Sequence, residues 1–383
     1  MIAAPHHPLA APGLLSPLVH TQRGGVEIID RLADEWRNLC TEAENDQPFF
    51  HPEWIRAYIR AFAPHASLLL ITVRVQGRLC LVLPLVEERC RFNGVPLQRL
   101  RAPVNAHPGR FDFVCSPGLD GETAVVAAWE HLKKLEGWNL LELRDIPAGG
   151  AAGRLAAVAR ADGFDAVEVP ELPNPYIPIT HKPEMGKVLP RSSRLRTKLR
   201  QARRELVAQG ALEFRCVETA NKNDLQRFYQ LEASGWKGRE RSAINSAPST
   251  RKFYDEIAES AARFGYLALY FLEWNGELLA AHFALLYRGR CYSPKVAYNE
   301  KFDRFAPGHL IVEEILRDCA ARGMKVFDIT GPDDEWKVKW TAEARPVSHH
   351  YIFKGMLGRL ARDVRFRIRP VLGRLLRRKG NNV

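Results

Sequence analysis

The sequence predicts an α/β protein with mixed sheets, made of two related halves in tandem, and three observations carry that prediction. The first is a repeated hairpin. Residues 68–75, Gln76-Gly77 and 78–86 read as strand, tight turn and strand, and residues 267–274, Asn275-Gly276 and 277–287 repeat the pattern. Asn-Gly is the stronger turn signal, because both residues tolerate positive φ. The second is a helix and strand placed after each hairpin: residues 123–135, Gly137 and 139–144, then 311–321, Gly323 and 325–329, read as helix, stop and apolar strand. The third is a stretch holding Pro170, Pro173, Pro175, Pro178, Pro183 and Pro190. Such a stretch suits neither a helix interior nor a central strand, so it is expected to run extended between the halves.

These signals place a disordered leader at 1–22, broken by Pro5, Pro8, Pro12 and Pro17, and a first half at 23–170. A Pro-rich linker follows at 171–190, a second half at 191–354 and a basic tail at 355–383. A chain of 383 residues with 46% hydrophobic content is long and apolar enough for packed cores, which excludes a disordered chain. The seven cysteines are scattered, with no Cys-x-x-Cys, and are expected to be reduced and mostly buried. No apolar run reaches the length of a membrane span and the N-terminus lacks a basic signal region, so the expected location is the cytoplasm.

The net charge of +12 is concentrated in two segments. Residues 355–383 hold nine basic side chains against Asp363, and residues 191–208 hold seven against Glu205. The remainder is slightly acidic, which argues against a surface that coats nucleic acid generally. In the tail Leu357, Leu360, Val364, Ile368, Val371 and Leu375 recur every three or four residues among arginines, and Pro370 divides the pattern. That is a basic amphipathic stretch, suited to an anionic membrane surface on the inner face of the cytoplasmic membrane; a helix packed on the domain is the alternative.

The densest cluster of signals lies between Tyr292 and Trp340. A strand at 292–299 contains Pro294, Ala306-Pro307-Gly308-His309-Leu310 opens a helix, and Leu310, Ile311, Ile315, Leu316 and Cys319 give it one apolar face. A strand leading into a helix N-terminus makes an anion cradle, because first-turn N–H groups lack helical partners and the dipole adds positive potential. An ordinary strand-to-helix connection is the plainer reading.

Gly235-Trp236-Lys237-Gly238-Arg239, Pro294-Lys295-x-Ala297-Tyr298, Pro307-Gly308-x-Leu310, Phe327-Asp328 and Asp334-x-Trp336-Lys337-x-x-Trp340 together resemble the GNAT-type acyltransferases. Within them, the chain looks like the CelD/BcsL-like branch, which is also similar to FemAB-like aminoacyl ligases. The resemblance runs from about Asp46 to Phe353 and implies two tandem GNAT-like acyl-CoA N-acyltransferase halves in a FemAB-like arrangement. It implies acyl-CoA, acetyl or longer, as co-substrate with no permanently bound cofactor. The donor would be held by Arg304, Pro307, Gly308, His309 and Leu310. Here the chain departs from the general Arg/Gln-x-x-Gly-x-Gly/Ala loop, keeping only its first position in Arg304. Contacts to donor or acceptor are expected from Trp236, Lys237, Arg239, Glu335, Lys337 and Trp340.

Direct attack of an amine or hydroxyl on a thioester needs proton removal, oxyanion stabilisation and a proton for the leaving thiolate, but no protein nucleophile. The absence of a Gly-x-Ser-x-Gly elbow agrees with that. His282, Lys295, Tyr298 and Asp328 are the candidates for this work. For His282 a hydrogen-bonded core histidine is the plainer reading, Lys295 reads also as a solvent-facing lysine on an edge strand, and Asp328 as a cap on the turn at Thr330-Gly331. No metal is expected, since His349 and His350 are adjacent on a strand and point to opposite faces. The expected activity is acyl transfer to an amine or hydroxyl of an envelope lipid, such as a sphingoid-type amine, or of an exopolysaccharide precursor. A tRNA-dependent FemAB-like ligase and a non-catalytic membrane-surface protein are the alternatives.

Overall fold

The computed structural model describes residues 16–104, 109–179, 190–332 and 334–370. Among these residues thirteen strands alternate with eleven α-helices. The first half comprises β1 (Leu18–Gly24), α1 (Glu27–Glu42), α2 (Pro52–Phe62), β2 (Ser67–Val75), β3 (Arg78–Phe92), β4 (Val95–Arg101), β5 (Val114–Cys115), α3 (Gly118–Lys134), β6 (Leu140–Pro147), α4 (Ala151–Ala161) and β7 (Asp165–Pro178). The second half comprises α5 (Ser193–Gln209), β8 (Leu212–Val217), α6 (Lys222–Ser234), α7 (Trp236–Arg239), α8 (Pro248–Arg263), β9 (Leu267–Trp274), β10 (Glu277–Tyr287), β11 (Arg290–Tyr298), α9 (Pro307–Ala321), β12 (Val326–Asp328), α10 (Glu335–Val338) and β13 (Ala344–Phe353), with α11 (Gly355–Asp363) after it.

The halves repeat one topology. Hairpins β2–β3 and β9–β10 lie where the turns predict, with Gln76 at φ 52° and Asn275 at φ 50°, each followed by a glycine at φ 79°. In each half the next strand, β4 or β11, crosses through a helix, α3 or α9, to a parallel neighbour, β6 or β12. The last strands are exchanged: β13 pairs β6 of the first half, and β7 pairs β12 of the second. The result is one continuous sheet in the order β1-β2-β3-β4-β6-β13-β7-β12-β11-β10-β9-β8, with β5 on β3.

Two expectations change here. Residues 18–22, placed in a disordered leader, belong to β1 and pair with β2 from Leu18↔Arg74 to Gly24↔Leu68. The Pro-rich stretch is no simple linker, because residues up to Pro178 form β7. Its ladder changes partner, pairing β13 through Pro175 and β12 from Tyr176, with bonds to both sides at the crossover, where Pro175 O accepts from Ile329 N at 3.3 Å and Tyr176 N donates to Glu343 O at 3.0 Å. Prolines 170, 173 and 178, away from that crossover, meet the edge-strand condition inside a large sheet. Pro183 and the rest of 180–189 lie outside the described residues.

One face of the sheet is sealed across the halves by α2 and α8, where Trp54 meets Phe253 edge-on at 5.1 Å between ring centroids. The other face of the second half is covered by α5 and α9 through Leu195, Leu199, Leu206, Leu310, Ile311 and Ile315. All seven cysteines are unpaired, five of them buried. Among the described residues no helix is long and apolar enough to cross a membrane.

Candidate active site

β11 and β12 stay paired only as far as Tyr292↔Asp328, although β11 runs on to Tyr298. On the other side of β11 the register slips at the same place: Phe283 pairs Lys295 while Leu285 pairs Tyr292, leaving Ser293 and Pro294 in a bulge. A proline has no N–H for the ladder, and a bulge re-aims the strand. Past this bulge a cavity of about 330 Å³ opens between the end of β11 and the start of α9. Val296, Ala297 and Tyr298, His282 of β10, and Pro307, Gly308 and His309 line it, closed by Leu231, Glu232, Trp236, Lys237, Lys198 and Trp336.

The first turn of α9 presents backbone to this space. Ala306 sits before it in the left-handed region with no side-chain cap, and its carbonyl accepts from His309 N at 2.9 Å and Leu310 N at 3.1 Å. Pro307 has no N–H, so Gly308 supplies the first amide of the helix. A Cβ at Gly308 would stand 3.4 Å from the Tyr298 ring, so glycine lets that ring lie against the helix start.

Both cavity histidines are held neutral. Burial pushes His282 down to about 3, helped by the charge of Lys237, and its Nδ1 lies 2.8 Å from Ser293 Oγ. Burial pushes His309 down to about 4, with Lys339 and Lys198 adding to it. Trp340 Nε1 donates to His309 Nδ1 at 3.0 Å, which leaves the ring proton on Nε2. The unfolded chain would take up these protons below about pH 6.5, so the stability they contribute is full above that pH and falls toward pH 4 and 3. Nitrogen-15 spectra of the imidazoles are expected to show both rings neutral at pH 7 and unchanged down to about pH 5; a midpoint near 6.5 for either ring would contradict this burial.

Beneath the cavity lies a charge cluster that sequence reasoning missed. Glu232 is 2% exposed. Its Oε1 pairs with Lys237 Nζ at 3.3 Å and Lys295 Nζ at 3.4 Å, and its Oε2 accepts from Ile244 N at 2.8 Å. Lys237 Nζ also donates to Val296 O at 2.6 Å. Burial lowers the pKa of Lys237 against the pull of Glu232, and nearby Lys295 and Lys337 lower it further. A signal was present: Leu225, Phe228, Tyr229 and Glu232 follow the spacing of one helix face, three are apolar and buried, and the fourth is a carboxylate in a core position.

The cavity gathers His282, Tyr298, Pro307, Gly308, His309, Trp236 and Lys237 from the sequence candidates. Lys295 reaches it through Glu232, and Trp340 through His309. Lys337 is buried behind the wall, donating to Thr330 O at 2.8 Å and Pro332 O at 2.6 Å, and so shapes the loop after β12. Arg239 is paired with Glu300 on the surface, Glu335 is exposed on α10, Arg304 lies 4.4 Å over the Phe305 ring and Leu310 is in the core. Asp328 needs correction: it does not line the cavity. Its fully buried carboxylate accepts from Arg110 at 3.0 and 3.3 Å, Arg345 at 2.7 Å and Thr330 N at 3.1 Å, joining the first half to β12 and β13.

Cys40, Asp46 and His51 bring possible metal-ligand atoms within 4.8 Å of one another. The Asp46 carboxylate there already engages His51 at 2.8 Å, Tyr287 at 2.7 Å and Arg288 at 3.2 Å, tying the β10–β11 turn to the first half. At the start of α3, the first half's counterpart of α9, a smaller cavity of about 210 Å³ is lined by Cys115, Ser116, Pro117, Gly118, Gly149 and Arg154.

Residues 193–338 match the family model described as an acetyltransferase (GNAT) domain, and every residue lining the cavity falls inside that stretch. No curated protein matches the chain in sequence. Among solved structures, the crystal structure of FemX aligns with 84% of this chain and 96% of its own at 12% identity and a TM-score of 0.58. A conserved protein of unknown function from Bacteroides thetaiotaomicron VPI-5482 aligns with 88% of this chain and 100% of its own at 9% identity and a TM-score of 0.51. At these identities the two structures speak for the fold, and the family match is confined to the second half.

Proposed function

We propose that the chain is an acyltransferase of the CelD/BcsL-like kind that takes an acyl group from acyl-CoA. It passes the group by direct attack to an amine or hydroxyl of an envelope lipid, such as a sphingoid-type amine, or of an exopolysaccharide precursor. The observation that carries this reading is the cavity between the diverging end of β11 and the uncapped first turn of α9, inside the GNAT-matched stretch. Its wall offers the Gly308 amide at a helix start and an aromatic, largely apolar surface, the combination that suits a phosphate-bearing thioester with an acyl chain. Calorimetric titration with acetyl-CoA, a long-chain acyl-CoA and coenzyme A tests it: micromolar binding that depends on the acyl group is expected, and silence with every thioester would sink the reading.

A tRNA-dependent ligase is the second reading, favoured by α5. Its exposed Arg194, Arg200 and Arg204, with Arg191 just before it, flank Lys198, which lines the cavity. That reading predicts tRNA affinity falling steeply with salt.

An anionic membrane surface is the partner we assign to α11. Its Ala361 is buried against the sheet, while Met356, Leu357 and Leu360 are 87%, 47% and 50% exposed beside exposed Arg359, and Ile368 in the helical turn that follows is 46% exposed beside exposed Arg365, Arg367 and Arg369. The face is apolar and cationic at once, and each arginine near such a surface adds about 1 kcal/mol. The repeat's remaining residues, Val371, Arg374, Leu375, Arg377, Arg378 and Lys379, lie outside the described residues. Co-sedimentation with phosphatidylglycerol vesicles is expected for the wild type and lost in Leu357→Asp/Leu360→Asp; equal sedimentation of both would remove this partner.

A further inference from the structure

We propose that Lys237 is a catalytic residue that faces the carbonyl oxygen of the bound thioester and stabilises the oxyanion formed on attack, with Glu232 as its positioning residue. The inference rests on the acyl-CoA reading above.

Negative charge in this reaction develops on the thioester oxygen, and a preorganised cation in a water-poor cavity stabilises it far better than one in solvent. Few groups at the cavity meet that requirement. His282 and His309 are neutral, and Lys198 and Asp303 are exposed at the mouth. Neither Lys295 nor Lys337 is part of the lining, Lys295 reaching toward Glu232 and Lys337 toward Thr330 O and Pro332 O. Of the two lysines in the lining Lys237 is the one withdrawn from solvent, its side chain 16% exposed, and its bond to Val296 O holds it against the strand that forms the wall.

Glu232 explains how that lysine is kept in place. Each carboxylate oxygen is engaged, one with the two lysines and the other with Ile244 N, so the group holds Lys237 in place. In the step itself the acceptor's nitrogen or oxygen forms a bond to the thioester carbon, and the π pair moves onto the carbonyl oxygen beside Lys237. Collapse breaks the carbon–sulfur bond, and the proton lost by the acceptor is balanced by the one gained at the departing coenzyme thiol. Lys237 keeps its own protons throughout.

The groups facing Lys237 are Glu232 from α6, Lys295 from β11, His282 from β10 and Lys337 from the segment after β12, with Lys198, Asp303, His309 and Tyr298 elsewhere around the cavity. Lys237 is already depressed by burial and by its lysine neighbours, so removing the charge of Glu232 makes it lose its proton at lower pH.

The test uses acetyl-CoA labelled with carbon-13 at the thioester carbonyl, with isotope-edited infrared spectra of the bound state and calorimetry alongside, and needs no acceptor. In the wild type the bound carbonyl band is expected to move to lower frequency and to lose that displacement as pH rises. Lys237→Met should bind with an unmoved band, Lys237→Arg should restore a displacement, and Glu232→Gln should lose it at lower pH than the wild type. With an acceptor that is turned over, Lys237→Met is expected to cost about 10²–10³ in rate. A band that is equally displaced in Lys237→Met, or a pH profile unchanged in Glu232→Gln, overturns the assignment while binding persists. Should Lys237→Met fail to fold, a wild-type band with no pH dependence overturns it equally. Absence of any calorimetric binding in the wild type would instead reject acyl-CoA as the donor.

Discussion

Asp328→Ala is expected to destabilise the protein by about 3–5 kcal/mol, because it breaks a buried ion cluster from one side and leaves its cations behind. Arg110 is buried with Asp328, and its guanidinium also donates to Gln47 Oε1 at 3.0 Å. Arg345 would keep the Tyr176 ring at 3.9 Å but lose its carboxylate. The cluster joins the loop before β5, the end of β12 and the start of β13, so the damage falls on the seam between the halves. Urea unfolding of wild type and variant measures it, and a loss under about 1 kcal/mol would show that the seam does not depend on this carboxylate. The pH dependence carries the same information. Against the burial that raises it, Arg110, Arg345 and Thr330 N hold Asp328 below the ordinary carboxylate range. The stability it contributes is therefore complete above about pH 3.9 and is lost as pH falls through its lower folded value. In Asp328→Asn that acid-side portion should disappear.

Gly308→Trp is expected to abolish donor binding while leaving the fold intact. The glycine is in the first turn of α9 with its backbone in the ordinary helical range, so a side chain there is conformationally tolerated. Its Cβ would contact the Tyr298 ring at 3.4 Å, and the indole beyond it must enter a cavity of about 330 Å³. Lost access to the first-turn amide and to that volume should weaken acyl-CoA by more than about 100-fold, or roughly 2.7 kcal/mol. Calorimetry beside circular dichroism separates occlusion from unfolding. Undiminished binding in a folded variant would place the donor elsewhere.

How the site is assembled explains which parts are legible in the chain. Pro307-Gly308-His309 and Trp236-Lys237 stand out because turn and helix-start chemistry is local, and the bulge at Ser293-Pro294 follows from one missing N–H. Glu232 escapes notice because a carboxylate within a helix reads as a solvated residue unless its phase against Leu225, Phe228 and Tyr229 is traced. Asp328 is misplaced by local reasoning because its arginine partners lie at positions 110 and 345, far from it in the chain. Lys337 and Trp340, grouped with the contact residues, prove to act from behind through Thr330, Pro332 and His309.

The sequence by itself determined the local elements: the two hairpin turns, the apolar face of α9, the start of that helix and the basic character of α5 and α11. Each depends on residues a few positions apart, where backbone propensity and periodicity act directly. Only the tertiary structure decided that β7 and β13 change halves, that a cavity opens where β11 parts from β12, and that one buried carboxylate gathers two lysines beneath it. Those outcomes depend on strand pairing and desolvation between segments distant in sequence, and no local pattern encodes which remote strand or charge will be the partner.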